Sequence, residues 1–214
     1  MKSITSFILL LFLLVSCSCD LKEYYFNLNK FEQPVYYKFE FENNARSMFY
    51  WKLVGDTEAQ TLVTDSYDSN KMQVEHFKER YTNNGSNLVG FIFFEDGDSI
   101  EAKVISEIVY SWSKEEEYSY LVETSDKKHA VSFSKSREFI GFENIEYMDK
   151  TYKAAKFLSN YTYHDLVSNE LHSYWQHDFY TKEHGFVKYE RHYSNGYQTT
   201  VVLTGILSEE EWVR

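Results

Sequence analysis

The sequence contains very little cysteine, proline or glycine. Of its 214 residues, 2 are cysteine, 1 is proline and 8 are glycine. Both cysteines, Cys17 and Cys19, lie within the first twenty residues, so the rest of the chain holds no disulfide framework. A C-x-C pair without a second Cys/His pair at fixed spacing is also not a zinc-binding pattern. After Pro34 there is no stretch rich in Pro, Gly or Ser, so we predict a single domain without internal linkers.

Basic residues are scarce relative to acidic ones. The chain has 22 Lys and Arg against 33 Asp and Glu, which gives a formal net charge of −11. No cluster of basic residues occurs, whereas proteins that bind nucleic acid neutralise the phosphates with clustered Lys and Arg. We therefore predict no nucleic-acid partner, and we interpret the acidic charge as a contribution to solubility.

Long apolar runs are absent except at the N-terminus. Met1 and Lys2 form a short positive region, and the apolar run 4–15 follows, broken only by Thr5 and Ser6. This run is shorter than the roughly 20 apolar residues that a membrane-spanning helix requires, and it is typical of a secretory signal. We therefore expect an exported protein.

The end of the apolar run resembles the cleavage box of bacterial lipoproteins. Residues 14–17, Leu-Val-Ser-Cys, match its pattern of a leucine, a small residue or valine, and a small residue before the cysteine. The resemblance implies cleavage before Cys17 and a diacylglycerol on its sulfur, because two or three acyl chains, at ~0.8 kcal/mol per buried CH₂, anchor a protein stably. The expected location is the cell envelope, anchored to the outer membrane, with the domain in the periplasm or at the cell surface. The alternative is ordinary cleavage before Cys19 and no anchor.

These signals divide the chain into three parts. Residues 1–16 are the lipoprotein signal peptide, residues 17–34 are the lipidated N-terminus and a tether, and residues 35–214 are a single antiparallel β domain. The tether has mixed polarity. We expect its three consecutive aromatic residues, 24–26, to pack on the domain.

Apolar and polar residues alternate almost everywhere after residue 34. In the run 36–42, Tyr37, Phe39 and Phe41 alternate with Lys and Glu. A period of two indicates half-buried antiparallel strands. Asn-Gly or Asp-Gly dipeptides of the kind that favour tight hairpins separate several of the runs. The predicted strands are 36–42, 49–54, 72–78, 88–94, 100–104, 118–122, 131–133, 139–142, 172–180, 186–192 and 199–203.

This pattern predicts an all-β fold, a single curved antiparallel meander of about ten or eleven strands. An open sheet rarely exceeds ~10 strands without curling, so the chain forms an open half-barrel or a barrel, with a sandwich as the alternative. At most one or two short helices are expected, at 146–158, which fits a strand equally well, and at 208–214, where Ser208 and Glu211 form a capping box. Lys and Glu on the outer positions disfavour a membrane-spanning barrel.

The C-terminal third resembles a recurring ending of small exported bacterial lipoproteins of unknown function. In that ending, a strand with tryptophan and tyrosines leads into a Gly-(Leu/Phe)-Val-Lys hairpin strand, and a last strand closes the sheet. Here residues 173–196 and 199–207 carry it, with Trp175, Tyr180 and the run 185–188 at the matching positions. The resemblance implies a curved sheet similar to the lipoprotein-carrier (LolA/LolB-like) half-barrel, and it implies no catalytic residue.

The residues offer little support for catalysis or metal binding. No serine lies in a Gly-x-Ser-x-Gly elbow, and the acidic run 115–117 is typical of a solvated loop. Four histidines lie between 172 and 192, but strand alternation separates them, so that only His177 and His192 could meet. We therefore predict a protein that is not an enzyme, with no catalytic residue, no metal and no cofactor.

The aromatic residues support two interpretations. The chain has 19 Tyr, 17 Phe and 4 Trp, which either fill the core or line a cavity for an apolar or amphipathic ligand. The first hypothesis is therefore a membrane-anchored lipoprotein that binds a lipid-like ligand or contacts an envelope protein. The second is a module that binds a protein or glycan through exposed Tyr and Trp, and the third is an unrecognised hydrolase. The candidate ligand-binding residues are Phe39, Phe41, Trp51, Phe91, Phe93 and Phe186.

Overall fold

The structure is a computed structural model that describes residues 21–42, 44–95, 97–125 and 130–213, with backbone alone for 44–46. The predicted signal peptide 1–16 and the predicted lipidation site Cys17 lie outside the described residues. Within the described part, no helix has both the length and the apolar character needed to cross a membrane.

Twelve antiparallel strands form one closed barrel. Each strand pairs with the next along the chain, and β1 pairs with β12 to close the sheet. The all-β prediction is confirmed, and of the predicted forms the closed barrel is the one observed. The strands are β1 (Val35–Phe41), β2 (Asn44–Asp56), β3 (Thr61–Tyr67), β4 (Gln73–Tyr81), β5 (Gly85–Glu95), β6 (Asp98–Ser111), β7 (Tyr118–Glu123), β8 (Val131–Tyr147), β9 (Lys150–Asp165), β10 (Glu170–Thr181), β11 (Gly185–Tyr193) and β12 (Gln198–Leu207).

The structure has more strands than predicted because two strands were not recognised from the alternation of apolar and polar residues. The predicted runs 131–133 and 139–142 belong to one strand, β8, whose register shifts between Phe139 and Gly141. Strands β3 and β9 were not among the predicted runs, and the segment 146–158 is strand and turn, so its helical interpretation is wrong. In β3, Thr64 and Ser66 point inward and weaken the apolar alternation.

The predicted C-terminal helix is present as α1 (Glu209–Val213). Its capping box forms as expected: the Ser208 backbone N–H donates to Glu211 Oε2 at 2.8 Å, and the Glu211 N–H donates to Ser208 Oγ at 3.3 Å. Trp212 then stacks on Tyr36 with 4.9 Å between ring centroids. This contact fixes the helix against the outer face of β1.

The segment before β1 fills one end of the barrel. An eight-stranded barrel is just wide enough for side chains to fill, so a twelve-stranded one has a wider interior. Here two short 3₁₀ helices (Leu21–Tyr24 and Leu28–Lys30) supply the additional apolar groups. We call the segment 21–31 the plug; its six buried apolar side chains, each at most 6% exposed, are Leu21, Tyr24, Tyr25, Phe26, Leu28 and Phe31.

Hydrogen bonds to backbone carbonyls of the plug hold it against the strand ends. The Gly55 N–H donates to the Phe31 carbonyl at 2.7 Å, and the Tyr81 hydroxyl donates to the Phe26 carbonyl at 2.7 Å. The packing of 24–26 on the domain agrees with the prediction. From Leu21 onward, however, this segment is part of the folded core and not a free tether.

Gly185 tests the fit between the plug and the barrel. Its φ is +67°, and a Cβ there would lie 2.5 Å from Cδ1 of Phe26. We expect Gly185→Ala to lower the free energy of unfolding by about 2–4 kcal/mol, from the left-handed backbone together with overpacking. Urea denaturation of the purified protein measures it. The matched control is Gly196→Ala, which has a φ of +83° but no atom within 4 Å. Equal losses in the two variants would show that the plug does not pack against Gly185.

Candidate functional site

The barrel interior is only partly filled and contains a cavity of about 620 Å³. Tyr25 and Phe26 of the plug form its floor, and Asp68 and Ser69 of the β3–β4 hairpin form part of its rim. The rim residue Ser69 is exposed, so the cavity extends from the plug to the opposite end of the barrel. Its volume lies within the ~300–1,000 Å³ typical of small-molecule sites.

Two aromatic clusters form the apolar walls. On β1, β2 and β11, Trp51 stacks against Phe186 with 5.0 Å between ring centroids. On the strands from β4 to β8, Phe91 packs edge-on to Phe77 at 5.5 Å. The cavity-lining members of the first cluster are Phe41, Phe49, Trp51 and Phe186, and those of the second are Phe77, Phe91, Tyr120 and Phe133.

The structure divides the six aromatic residues predicted to bind a ligand into two groups. Four of them line the cavity: Phe41, Trp51, Phe91 and Phe186. The other two lie outside the lining. Phe39 is fully buried and stacked on Phe49 at 4.9 Å, and Phe93 packs on Phe91 at 4.5 Å. Those two residues support the wall.

A buried charged network crosses the interior on β8, β9 and β10. Asp178 is 0% exposed, and its Oδ2 accepts hydrogen bonds from Ser159 at 2.7 Å, from Lys135 at 3.0 Å and from Arg137 at 3.2 Å. Its Oδ1 accepts from the Gln176 amide. A buried carboxylate needs such partners, because its unpaired transfer out of water is very costly.

This network shifts the pKa values of its members. Burial alone would raise the pKa of Asp178, but the charges of Lys135 and Arg137 and the hydrogen bonds hold it below its usual value. Burial and the neighbouring Arg137 lower the pKa of Lys135 to about 7, against the opposing effect of Asp178. The cavity wall thus carries a desolvated amine whose charged form is stabilised by Asp178.

A second buried carboxyl group connects the barrel to the plug. Glu79 is 2% exposed, and its Oε2 accepts hydrogen bonds from Ser86 at 2.5 Å and from the Tyr25 hydroxyl at 2.6 Å. Burial raises the pKa of Glu79, and the two hydroxyl donors oppose that effect. Tyr25 therefore contributes both a ring to the cavity floor and a hydrogen bond to a buried acid.

Two further charged side chains face the cavity, Glu75 on β4 and Arg191 on β11. Arg191 lies directly opposite Gln176 in the β10–β11 register, and its Nε donates to Gln176 Oε1 at 2.9 Å. Burial raises the pKa of Glu75, and the charge of Arg191 opposes the shift. The cavity therefore combines apolar walls with a polar strip formed by these side chains. An amphipathic molecule is complementary to it, because it has an apolar part and a polar part.

Sequence reasoning missed these polar residues. In β8, Lys135 and Arg137 have the same parity as Phe133, and in β10 Gln176 and Asp178 have the same parity as Tyr174. Parity within a strand fixes the face of the sheet, so charges in phase with aromatic residues indicate a polar interior. That signal was available in the sequence.

The two histidines that were predicted to be able to meet do lie together, on the outer face. The ring centroids of His177 and His192 are 6.0 Å apart, and Trp175 stacks on His192 at 3.8 Å. Trp175 is 39% exposed. Within the described ranges, no group of three or more His, Cys, Asp or Glu side chains could hold a metal ion.

Comparisons with known proteins identify the fold and no more. No family model and no curated protein sequence matches the chain. A solved "putative lipoprotein" from Parabacteroides distasonis is 15% identical with a TM-score of 0.54, covering 81% of this chain and 94% of its own. A "putative exported protein with YmcC-like fold" from Bacteroides fragilis is 9% identical with a TM-score of 0.54, covering 83% and 97%. The chain is therefore similar in fold to these two proteins. The finer resemblance to lipoprotein carriers is not confirmed.

Proposed function

We propose that this protein is an exported, lipid-anchored envelope protein whose barrel binds an amphipathic ligand without catalysing a reaction. The observation that carries the proposal is the cavity of about 620 Å³ that reaches the barrel rim. Apolar side chains that merely formed a core would close such a space, because protein interiors pack at the density of organic crystals.

The composition of the walls supports an amphipathic occupant. Aromatic walls favour an apolar chain by about 25 cal/mol per Å² of surface removed from water. The polar strip at Gln176 and Arg191 offers hydrogen bonds to a head group. A purely apolar ligand would remove water from the Arg191 guanidinium without replacing those hydrogen bonds, which costs free energy.

The position of the plug supports the anchor. Cys17 precedes Leu21 by four residues, which span at most about 14 Å of extended backbone, so an anchor on Cys17 would hold the plugged end near the membrane. The plugged end would then face the anchoring membrane, and the open rim would point away from it. Such an orientation leaves the cavity accessible to molecules that arrive from the aqueous side.

Mass spectrometry of the full-length protein, extracted in mild detergent from its native host, tests both parts of the proposal. Under denaturing conditions we expect a chain that starts at Cys17 and carries a diacylglyceryl group and an acyl group. An unmodified chain starting at Cys19 would refute the anchor. Under native conditions we expect a larger mass, by one lipid-sized increment.

A matched pair of variants locates the bound molecule. Ser66 lines the cavity, so Ser66→Trp fills it and should abolish the increment. Ser173 is exposed on β10, so Ser173→Trp should retain it. Equal native and denatured masses in the wild type would overturn ligand binding. The exposed outer face around Trp175 would then be the candidate surface for a partner protein. An increment that survives in Ser66→Trp would place the ligand outside the cavity.

A further inference from the structure

Arg191 differs from the buried cations Lys135 and Arg137 because it is partly exposed and forms no ion pair with any described carboxylate. Lys135 and Arg137 both pair with Asp178, at 3.0 and 3.2 Å. Among the residues that the structure describes, no carboxylate forms an ion pair with Arg191. Its charge nevertheless faces the cavity. A cation in a low-dielectric interior is costly unless an anion accompanies it.

Aromatic rings, the Gln176 amide and a hydrogen bond with the Tyr193 side chain hold the Arg191 guanidinium in place. The guanidinium carbon lies 4.2 Å from the centroid of the Tyr174 ring and 4.7 Å from that of Tyr189. The hydrogen bond from Nε to Gln176 uses one edge of the group, and Gln176 is itself fixed by Asp178. The planar fork is thereby oriented before any ligand binds, which reduces the entropic cost of binding.

The carboxyl groups near the cavity do not provide the missing anion. Glu79 is already hydrogen-bonded by Ser86 and Tyr25. Glu75 lines the cavity, but no described side chain donates a hydrogen bond to its carboxyl group, and it forms no ion pair with Arg191. One guanidinium and one carboxyl group thus face the same space without contacting each other.

The volume of the cavity is close to that of a single acyl chain. If each heavy-atom group occupies about the ~30 Å³ that a water molecule takes in the liquid, then 620 Å³ holds roughly 20 of them. A long-chain fatty acid has about that number, whereas a two-chain phospholipid has far more. The aromatic walls would surround the chain along its length.

We propose that the cavity binds a single-chain amphiphile with a carboxylate head group, and that Arg191 binds this carboxylate while the chain lies against the two aromatic clusters. The inference rests on the proposed function, because it names the chemical class of ligand for the same cavity. The pairing is physically favourable, since Arg binds carboxylates with two parallel N–H···O bonds.

Glu75 is compatible with this ligand in its protonated form. Burial raises its pKa in the free protein, and a carboxylate bound nearby would raise it further, because like charges disfavour each other. A protonated Glu75 offers a hydrogen-bond donor to the head group.

The test compares three probes with the same chain and different head groups. Delipidated protein is mixed with equal concentrations of hexadecanoic acid, 1-hexadecanol and hexadecylamine, and native mass spectrometry records the fraction of each complex. We expect the acid to bind best in the wild type. Arg191→Gln should weaken acid binding by about 10- to 100-fold, the range for a lost charge-assisted hydrogen bond, and should weaken alcohol binding far less, because a neutral hydroxyl forms no charge-assisted bond.

The outcomes separate this inference from the proposed function. Alcohol binding by Arg191→Gln shows that the variant is folded with its cavity intact. Arg191→Lys retains the charge but loses the planar fork, so its affinity for the acid should lie between those of Arg191→Gln and the wild type. Two results would overturn the carboxylate head group without contradicting ligand binding. The first is equal affinity of the wild type for the acid and the alcohol. The second is a preference of the wild type for the amine together with loss of amine binding in Glu75→Gln. Failure of all three probes to bind would contradict both proposals.

Discussion

Replacing Asp178 with asparagine is expected to lower the free energy of unfolding by about 3–5 kcal/mol, the loss observed when one partner of a buried ion pair is removed. Asp178 is fully buried and is the shared counter-ion of Lys135 and Arg137. The asparagine side chain has nearly the same shape but no charge, so two buried cations would lose their anion. Urea denaturation followed by intrinsic fluorescence measures the change.

The pH dependence of this loss follows from the direction of the pKa shift. The pKa of Asp178 in the folded protein is held below its usual value, so the carboxylate stabilises the fold above the unfolded pKa of about 3.9. As the pH falls below that value toward the folded pKa, the wild type loses this contribution. The difference in stability between the wild type and Asp178→Asn should therefore be large at neutral pH and should shrink in strong acid.

The control for Asp178 is an ion pair at the surface. Glu143 pairs with Lys156 at 2.8 Å, but its side chain is 48% exposed. Glu143→Gln should change the stability by less than about 1 kcal/mol, as is usual for exposed pairs. A loss in Asp178→Asn no greater than that of Glu143→Gln would show that the interior network contributes little to stability.

Replacing Tyr25 with alanine is expected to cost a similar 3–5 kcal/mol, the usual range for a buried aromatic residue changed to alanine. The Tyr25 ring lies 4.3 Å from that of Tyr110 and 5.7 Å from that of Tyr180. Its hydroxyl donates to the buried carboxyl group of Glu79 at 2.6 Å. The alanine variant therefore loses the packing at the cavity floor and one of the two donors to a buried acid.

Two further variants separate these contributions. Tyr25→Phe retains the ring and removes only the hydroxyl, so it should cost about 1–3 kcal/mol. Asn29 is exposed in the same segment, and Asn29→Ala should change the stability by no more than about 0.5 kcal/mol. Denaturant midpoints of the three variants give the comparison. If Tyr25→Ala matched Asn29→Ala, residues 21–31 would act as the tether that the sequence suggests and not as a plug.

The local sequence predicts that the plug packs on the domain, but it does not predict where the plug lies. The three aromatic residues 24–26 predict packing on the domain, because such large apolar side chains are seldom left in water. Their position inside the barrel end depends on the diameter that twelve strands enclose, and no local pattern encodes that diameter. The contact between Phe26 and Gly185, which are far apart in the chain, could not be predicted for the same reason.

Strand β8 shows why one strand was predicted as two separate runs. Its central residues 134–138 are Ser, Lys, Ser, Arg and Glu, which look like a loop between two short apolar runs. They form a strand because the interior at this level is a polar network, where Asp178 of β10 neutralises Lys135 and Arg137. Only a non-local partner makes a buried strand of that composition stable.

The sequence by itself determined the all-β meander, the capping box at Ser208 and most of the aromatic walls, because these depend on alternation and spacing along the chain. The tertiary structure alone decided that the sheet closes and that a plug fills one end. It also decided that Arg191 faces the cavity without a carboxylate partner among the described residues. The physical reason is that barrel closure, cavity volume and charge pairing all depend on residues brought together from distant strands, whereas alternation is a property of each strand alone.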